Sequence, residues 1–549
     1  MTKLKKFWDD KKYVLWYALC FAALGLIDQR RGSAVGTVQM VMANLTGPVL
    51  AGMMLPSMKK EFVRSKLVLV WTAVCIVGIP AGMRLGVRFW DYPGQWNMAV
   101  INVAVAGYLI LYLVWNRAEI IQKSRLNWFC FFVIEAMLLL MQMSVHETLW
   151  PIWFFVFFGC FYLIGIRKEL EEAFIRGMLT GLALWFFVQQ ILAFGFRPYD
   201  YPRYRGLYSG ETQSGLFYMI AFCTFTGWWF WLRKKKARWI WKVFSFLLSA
   251  GSVGFLILTG GRSSLIGVTA AAVLSYMLYD LVVCKSFLHW IWQGILLGLC
   301  CAVMFPVVYG CVRYLPAVMH HPIWFEGEYA SWRVHSDDPW DSDKYITFQQ
   351  AVNFNLGRIL KMFGIEFQLE NDSARLTTPL TLKARAAEIG EPGSSADNPL
   401  VVEGEDYGSP MGARRTIYYY YATHLNWRGH TKDQAGFYYT SSATYCHHCH
   451  NMFLQFAYDY GILPGILFLV WSVICLIRLI WRRDIIGIIG VAFYSAIFVY
   501  GCGEMAVTTG QITLVMMFIL YYFAMQKKQK GIEPEGIGEK ILCQEDGPG

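Results

Sequence analysis

Ile291–Val312 reads IWQGILLGLCCAVMFPVVYGCV, an unbroken run without a single charged side chain. A helix rises about 1.5 Å per residue, so this run crosses about 30 Å, the thickness of a bilayer's hydrocarbon core. A helix buried in a soluble protein keeps a polar stripe for water, and this one has none. The run therefore reads as a transmembrane helix.

Similar runs fill most of the chain to either side. Before it come Tyr13–Ile27, Thr37–Leu55, Leu67–Met83, Met98–Trp115, Trp128–Val145, Leu149–Ile166, Leu179–Phe196, Gly215–Leu232, Val243–Thr259 and Leu265–Val283. After a long polar stretch come Ile462–Ile480, Ile485–Tyr500 and Ile512–Ala524. The expected fold is an all-α integral membrane protein with about 12–14 transmembrane helices and one large, mostly helical extracytoplasmic loop. Composition agrees: 56% of the 549 residues are hydrophobic and only 16% charged, well below the usual share in soluble domains. Aromatic residues at 17% suit membrane interfaces and cavity walls. The first run follows Lys3, Lys5, Lys6, Lys11 and Lys12 without a small-x-small cleavage site, and reads as an uncleaved anchor.

Lysine and arginine set the orientation. One set of loops carries Lys59-Lys60, Arg117…Lys123…Arg125, Arg167-Lys168, Arg233-Lys234-Lys235-Lys236, Arg482-Arg483 and Lys527-Lys528. These alternate with loops that lack lysine, apart from the large one. The positive-inside rule places both termini in the cytoplasm and the large loop outside. The expected organisation is an N-terminal transmembrane bundle (1–311), an extracytoplasmic loop or lid (312–449), C-terminal transmembrane helices (450–525) and a cytoplasmic tail (526–549). The net charge of +11 lies mostly in the cytoplasmic collar, where anionic lipid attracts it, and calls for no nucleic-acid partner.

The short external loops lack lysine yet hold Arg30, Arg31, Arg84, Arg88, Arg197, Arg203, Arg205 and Arg262. Interfacial snorkelling accounts for most of Arg30, Arg31, Arg84 and Arg88. Arg205 and Arg262 differ, because each sits in a Gly/Ser-rich turn directly against a span. One turn is Arg203-Tyr204-Arg205-Gly206-Leu207-Tyr208-Ser209-Gly210-Glu211-Thr212-Gln213-Ser214-Gly215. The other is the tight hairpin Leu258-Thr259-Gly260-Gly261-Arg262-Ser263-Ser264-Leu265. Glycine lets backbone amides approach an anion, and guanidinium binds phosphate bidentately without titrating. Glycine turns also simply close short hairpins.

Within the large loop, 387–412 is rich in Gly, Pro, Ser, Glu and Asp and reads as irregular. Ile346–Phe363 reads as an amphipathic helix suited to the membrane surface. Arg414-Arg415-Thr416-Ile417-Tyr418-Tyr419-Tyr420-Tyr421 opens an aromatic helix running toward Gly429, with faces that suit sugar rings or interfacial packing. The loop closes on Tyr445-Cys446-His447-His448-Cys449-His450-Asn451-Met452-Phe453-Leu454-Gln455. Three chemistries compete there. Cys446, Cys449 and two histidines offer zinc ligands, though packed too tightly to reach one tetrahedral ion easily. Cys446 and Cys449 have the spacing of a redox pair or a local disulfide, without a βαβ context. Alternatively, one histidine serves as a general base toward a sugar hydroxyl.

The Leu-Thr-Gly-Gly-Arg-Ser hairpin around Arg262, the large loop, His450-Asn451-x-x-Leu454-Gln455 and Tyr460-Gly461-Ile462-Leu463-Pro464-Gly465 occur in that order. This arrangement resembles the O-antigen ligase / O-unit polymerase family of bacterial membrane glycosyltransferases. The motifs cover about residues 200–480, and hydropathy extends the likeness along the chain. Two features depart from it: Glu211-Thr212-Gln213 stands where the family often has an Asn-Pro-Asn-like turn, and Gly261-Arg262 where it often has Ser-Arg. They bear on the acceptor and the subfamily more than on the reaction class.

The resemblance implies metal-independent, inverting transfer of a glycan from an undecaprenyl-diphosphate carrier to an acceptor hydroxyl of a glycan or lipid. The setting would be the outer face of the bacterial cytoplasmic membrane, with no cofactor. His450 would be the catalytic base, and Arg205 and Arg262 would hold the lipid diphosphate. Arg203, Arg415, His447 and Asn451 would support them, and no residue would bind a metal. The competing expectation is a transporter or flippase for lipid-linked glycans, which would place charge near the bilayer midplane or show internal repeats.

Overall fold

The computed structural model describes residues 2–27, 45–89, 93–123, 126–199, 203–208, 210–284, 289–318, 345–361, 365, 412–434, 436–438, 445–446, 448–505 and 512–526. Apolar runs become helices because backbone polar groups in hydrocarbon must be satisfied within the segment. The apolar helices are α1 (Thr2–Ile27), α2 (Thr46–Met54), α3 (Lys66–Phe89), α4 (Pro93–Trp115), α5 (Trp128–Gln142) and α6 (Trp150–Ile164). They continue as α7 (Glu171–Phe196), α8 (Glu211–Lys234), α9 (Trp239–Thr259), α10 (Arg262–Tyr279) and α11 (His289–Val318). Two polar-loop helices, α12 (Gly412–Thr423) and α13 (Met452–Tyr460), precede α14 (Ile462–Arg482), α15 (Ile485–Gly501) and α16 (Ile512–Met525). Among the described residues, seven helices are long and apolar enough to cross a membrane, and five shorter apolar ones accompany them. The chain is an all-helical membrane protein.

Over the described residues each expected apolar run coincides with a helix, but many helices outlast their runs. α7 begins at Glu171, a full two turns before Leu179, with Glu171, Glu172 and Arg176 on its polar end. Hydropathy marks the part of a helix that crosses hydrocarbon, whereas hydrogen bonding lets the helix continue into the interface. The first half of the expected Thr37–Leu55 span lies outside the described residues.

α8 is the hub: 89% of its apolar window is buried, between α7, α9, α10 and α15. α3 is the opposite case, with 6% buried, so its Leu69, Val70, Ile76 and Val77 face outward as side chains in lipid do. Around the hub α1 packs on α7, α9 on α11, and α10 on α15. α8 runs from Glu211 at one end of the bundle to Arg233 and Lys234 at the other. At the second end Lys235 pairs with Glu172, and Arg482 with Glu171 and Asp484. Arg233, Lys234, Lys235 and Arg482 of the basic collar thus lie at the end of the bundle opposite the arginine turns.

Only part of the 312–449 stretch is described. The amphipathic 348–361 segment is helical, with a π turn at Val352–Leu356, and Phe363 lies outside the described residues. It is pinned to the bundle. Ile346 donates its amide to the Tyr199 carbonyl, Tyr309 Oη donates to the Ile346 carbonyl, and buried Asn355 donates to Tyr199 Oη. α12 ends at Thr423, ahead of the Gly429 turn. A two-stranded antiparallel ladder pairs Phe437 with Cys446 and Tyr438 with Tyr445. The 387–411 stretch and the tail beyond Gln526 lie outside the described residues.

The end of this loop is clasped onto the α13–α14 junction. Ile462 N donates to the Asn426 carbonyl, His430 N to the Asp459 carbonyl, and Val145 N to the Arg428 carbonyl. Gly429 (φ 78°) and Gly461 (φ 103°) sit back to back there, and a Cβ on Gly461 would fall on the Trp427 carbonyl oxygen. Both positions need a left-handed backbone and close approach, so glycine is required at each.

Candidate functional site

The turn before α8 is built from its own polar groups. Ser214 Oγ donates to the Arg205 carbonyl, and Tyr204 N donates to the Leu258 carbonyl at the end of α9. Glu211, in the first turn of α8, gathers the two arginines: Arg205 Nη2 lies 3.1 Å and Arg203 Nη1 3.9 Å from its carboxylate. Arg203 Nε also donates to the Thr259 carbonyl at 2.9 Å, so this turn and the α9–α10 hairpin form one unit.

In the hairpin, Gly260 adopts φ 62° to end α9, Gly261 N donates to Thr259 Oγ1, and Arg262 opens α10. Ser263 Oγ donates to the Gly503 carbonyl in the turn after α15. Arg262 lies close enough to Arg203, Arg414 and Glu504 for their charges to act on it. Tyr500 Oη donates to the Thr212 carbonyl, tying the end of α15 to the start of α8.

His450 arrives from the loop. Asn451 caps α13, its Oδ1 accepting from Phe453 N and Leu454 N at 3.0 Å each. Its Nδ2 reaches across to the Cys502 carbonyl at 3.1 Å. One side chain thus starts the helix and grips the turn that carries Glu504. His450 has φ 52°, a left-handed backbone uncommon outside glycine, and its carbonyl accepts from Tyr418 Oη of α12 at 3.2 Å. His450 Nδ1 stands 2.8 Å from Glu504 Oε2, and Arg414 of α12 bonds the other oxygen, Oε1.

Glu504 is buried. Burial pushes its carboxyl up, but the hydrogen bond from His450 and the charges of His450, Arg414 and His448 outweigh it and hold the carboxyl below its ordinary value. Among the described residues, Arg203, Arg205, Arg262 and Arg414 set against Glu211 and Glu504 leave a formal surplus of two positive charges. Such a surplus at the end of a bundle can hold a di-anion.

His450, Asn451 and the start of α10 at Arg262 and Ser263 meet at the Cys502–Glu504 turn, and Arg203 lies beside Arg262 and shares Glu211 with Arg205. Arg415 does not join them. Its side chain is exposed, and its neighbour Arg414 makes the contact, because successive residues on a helix point about 100° apart. His447 lies outside the described residues, as do Arg30 and Arg31. Arg84 is exposed on α3.

Cys446 and Cys449 are buried free thiols whose sulfurs donate to the His448 and Asn451 carbonyls, and neither joins a metal-capable cluster among the described residues. A different set of metal-capable donors does converge: atoms of His448, His450 and Glu504 lie within 4.8 Å of one another. The large loop also carries one Asp-x-Asp sequence, Asp341-Ser342-Asp343, outside the described residues. An Asp-x-Asp motif is thus present in the chain, and the expectation of metal independence rests on the fixed charge of the arginines.

Sequence reading missed Glu504 and Arg414. Glu504 had a signal: it is the only acidic residue between Asp484 and Glu533, set in Gly501-Cys502-Gly503-Glu504 between two apolar runs. An isolated acid at a membrane boundary is a functional candidate by default. Arg414 had none that separates it from Arg415.

The fold and this cluster define a polytopic, all-helical membrane protein with a cationic, histidine-bearing site at one end of its bundle. No protein-family model, curated protein or solved structure matches the chain.

Proposed function

We propose that the protein is a glycosyltransferase of the bacterial cytoplasmic membrane, multi-pass with both termini inside and the large loop outside. It moves a glycan from an undecaprenyl-diphosphate carrier to an acceptor hydroxyl of a glycan or lipid, in the manner of O-antigen ligases and polysaccharide polymerases. The observation that carries this reading is the linked set of Arg203 and Arg205 on Glu211, Arg262 beside Arg203, Arg414 and Glu504, and Arg414 and His450 on Glu504.

The chemistry fits these groups. A diphosphate is already a good leaving group, so the protein mainly needs to position the reactants and neutralise charge as the bond breaks. Arg262 and Arg205 hold the diphosphate, while His450 takes the acceptor's proton. Attack opposite the departing phosphate inverts the anomeric carbon. Fixed guanidinium charge does the work of a metal ion, and the arginine turns lie at the bundle end, where a lipid's diphosphate sits when its tail is in the bilayer.

The test uses the full chain in lipid vesicles with lipid-linked glycan extracted from the producing cells. His450→Ala, Arg262→Ala and Arg205→Ala are each expected to lower transfer at least about 100-fold without reducing membrane insertion. Transfer by the wild type should survive chelation of divalent ions. Wild-type transfer rates in His450→Ala would reject His450 as the base.

One observation favours the transporter reading. Glu135 sits at the middle of α5, buried, with Oε1 lacking a hydrogen-bond partner among the described residues. A carboxyl at mid-membrane often marks an ion or substrate path. Lipid-linked glycan that crosses the vesicle membrane but is never transferred, with the crossing lost in Glu135→Gln, would establish that reading instead.

A further inference from the structure

We propose that Glu504 is the positioning residue for His450, fixing which imidazole nitrogen faces the acceptor. The inference rests on the reading of His450 as the base and adds a residue that none of the chain's motifs contains. Its observation is the chain Arg414–Glu504–His450: a buried carboxylate with Arg414 on one oxygen and His450 Nδ1 2.8 Å from the other.

An ionised carboxylate only accepts hydrogen bonds, so the contact requires the hydrogen on Nδ1. In the neutral imidazole that leaves Nε2 with the lone pair. Two further contacts hold the ring where this pairing persists. Asn451 Nδ2 ties the residue after His450 to the carbonyl two residues before Glu504, and Tyr418 Oη holds the His450 carbonyl. Ser263 Oγ donates to the Gly503 carbonyl, so the Glu504 turn is also fixed to the helix that Arg262 opens. Arg414 keeps the carboxylate charged and prevents its rotation away from the ring.

During transfer, Nε2 takes the acceptor hydroxyl's proton as the acceptor oxygen bonds to the anomeric carbon. The bond from that carbon to the phosphate oxygen breaks, and its electron pair leaves on the diphosphate. The imidazole is now a cation, with Nδ1–H still directed at Glu504. The carboxylate therefore contributes most after the proton moves, so its loss should fall on kcat rather than on KM.

Two measurements on the full-length protein test this. The first needs no substrate: ring-nitrogen NMR of [15N]histidine-labelled protein, with His450 assigned by difference from His450→Ala. The neutral wild-type ring should carry its hydrogen on Nδ1, and Glu504→Gln should redistribute it to Nε2. The second is transfer in vesicles with lipid-linked glycan extracted from the producing cells. Glu504→Gln should lower kcat about 100-fold with KM changed less than about threefold, and Glu504→Asp should recover most of the loss.

A wild-type ring protonated on Nε2 would overturn the proposal even if a variant failed to fold. So would wild-type kcat in Glu504→Gln alongside an inactive His450→Ala, a result that leaves the base assignment standing. Wild-type transfer by His450→Ala would remove the reading on which the proposal rests. Finally, suppose chelation abolished transfer, zinc restored it, and His448→Ala lost stoichiometric zinc. Glu504 would then be a metal ligand with His448 and His450, and its positioning role would be rejected.

Discussion

Asp459 shows how one side chain can carry the pH response of the clasp. It is buried at the end of α13, where Gln455 Nε2 donates to its Oδ1 at 2.8 Å, and Gln455 Oε1 in turn accepts from Cys449 N. Burial raises its carboxyl from 3.8 to about 7, against the lowering effect of the Gln455 bond. The unfolded chain releases this proton near 3.8, whereas the folded one keeps it until about 7. Stability therefore falls as pH rises across that window, and the penalty is complete above it. Asp459→Asn keeps the acceptor and removes the charge. In detergent its melting temperature should exceed the wild type's by a margin that widens from about pH 4 to pH 7 and then levels off. A margin independent of pH would reject the assignment. Arg415 and Arg414 make a complementary point. Sequence offers two equivalent arginines, and only the rotation of α12 decides that Arg414 meets Glu504.

At the scale of elements, the helices were legible because each must satisfy its backbone within itself in hydrocarbon. Their ends were not, since α7 and α11 run on into the interface beyond their apolar runs. The 348–361 segment was legible as a helix but not as one pinned by Tyr199 and Tyr309, contacts that come from distant helices. The clasp at Gly429 and Gly461 yields the element-scale prediction. Gly461→Ala forces a left-handed backbone and sets its Cβ on the Trp427 carbonyl oxygen. It should cost at least about 1–3 kcal/mol. The same change should accelerate hydrogen exchange at Ile462 and His430, whose amides cross the clasp. Wild-type exchange at both amides would show that the clasp tolerates a side chain there.

Over the whole molecule, the fold separates two charged ends, with Glu211 at one end of α8 and the Arg233–Lys234 pair at the other. In a background with exposed Cys502 and tail Cys543 replaced by serine, a membrane-impermeant maleimide should label Ser394→Cys in intact cells. Lys235→Cys should be labelled only after permeabilisation. The reverse pattern would invert the proposed topology and place the His450 site in the cytoplasm. Either result leaves the bundle unchanged, because α8, α15 and α16 are buried whichever way the protein faces.

The sequence by itself determined an all-helical membrane protein. It also singled out Arg205 and Arg262, because a bilayer penalises charge so strongly that isolated cations at its boundary stand out. His450 stands apart from its neighbours only through the resemblance of the motif order. Only the tertiary structure decided which groups meet. Glu504 reaches His450 across 54 positions of sequence and Arg414 across 90. Those pairings depend on helix rotation, on Asn451 gripping the Cys502 carbonyl, and on the packing of α10 against α15. Composition and hydropathy record what each segment costs to place in lipid. They hold no information about which face of one helix turns toward another.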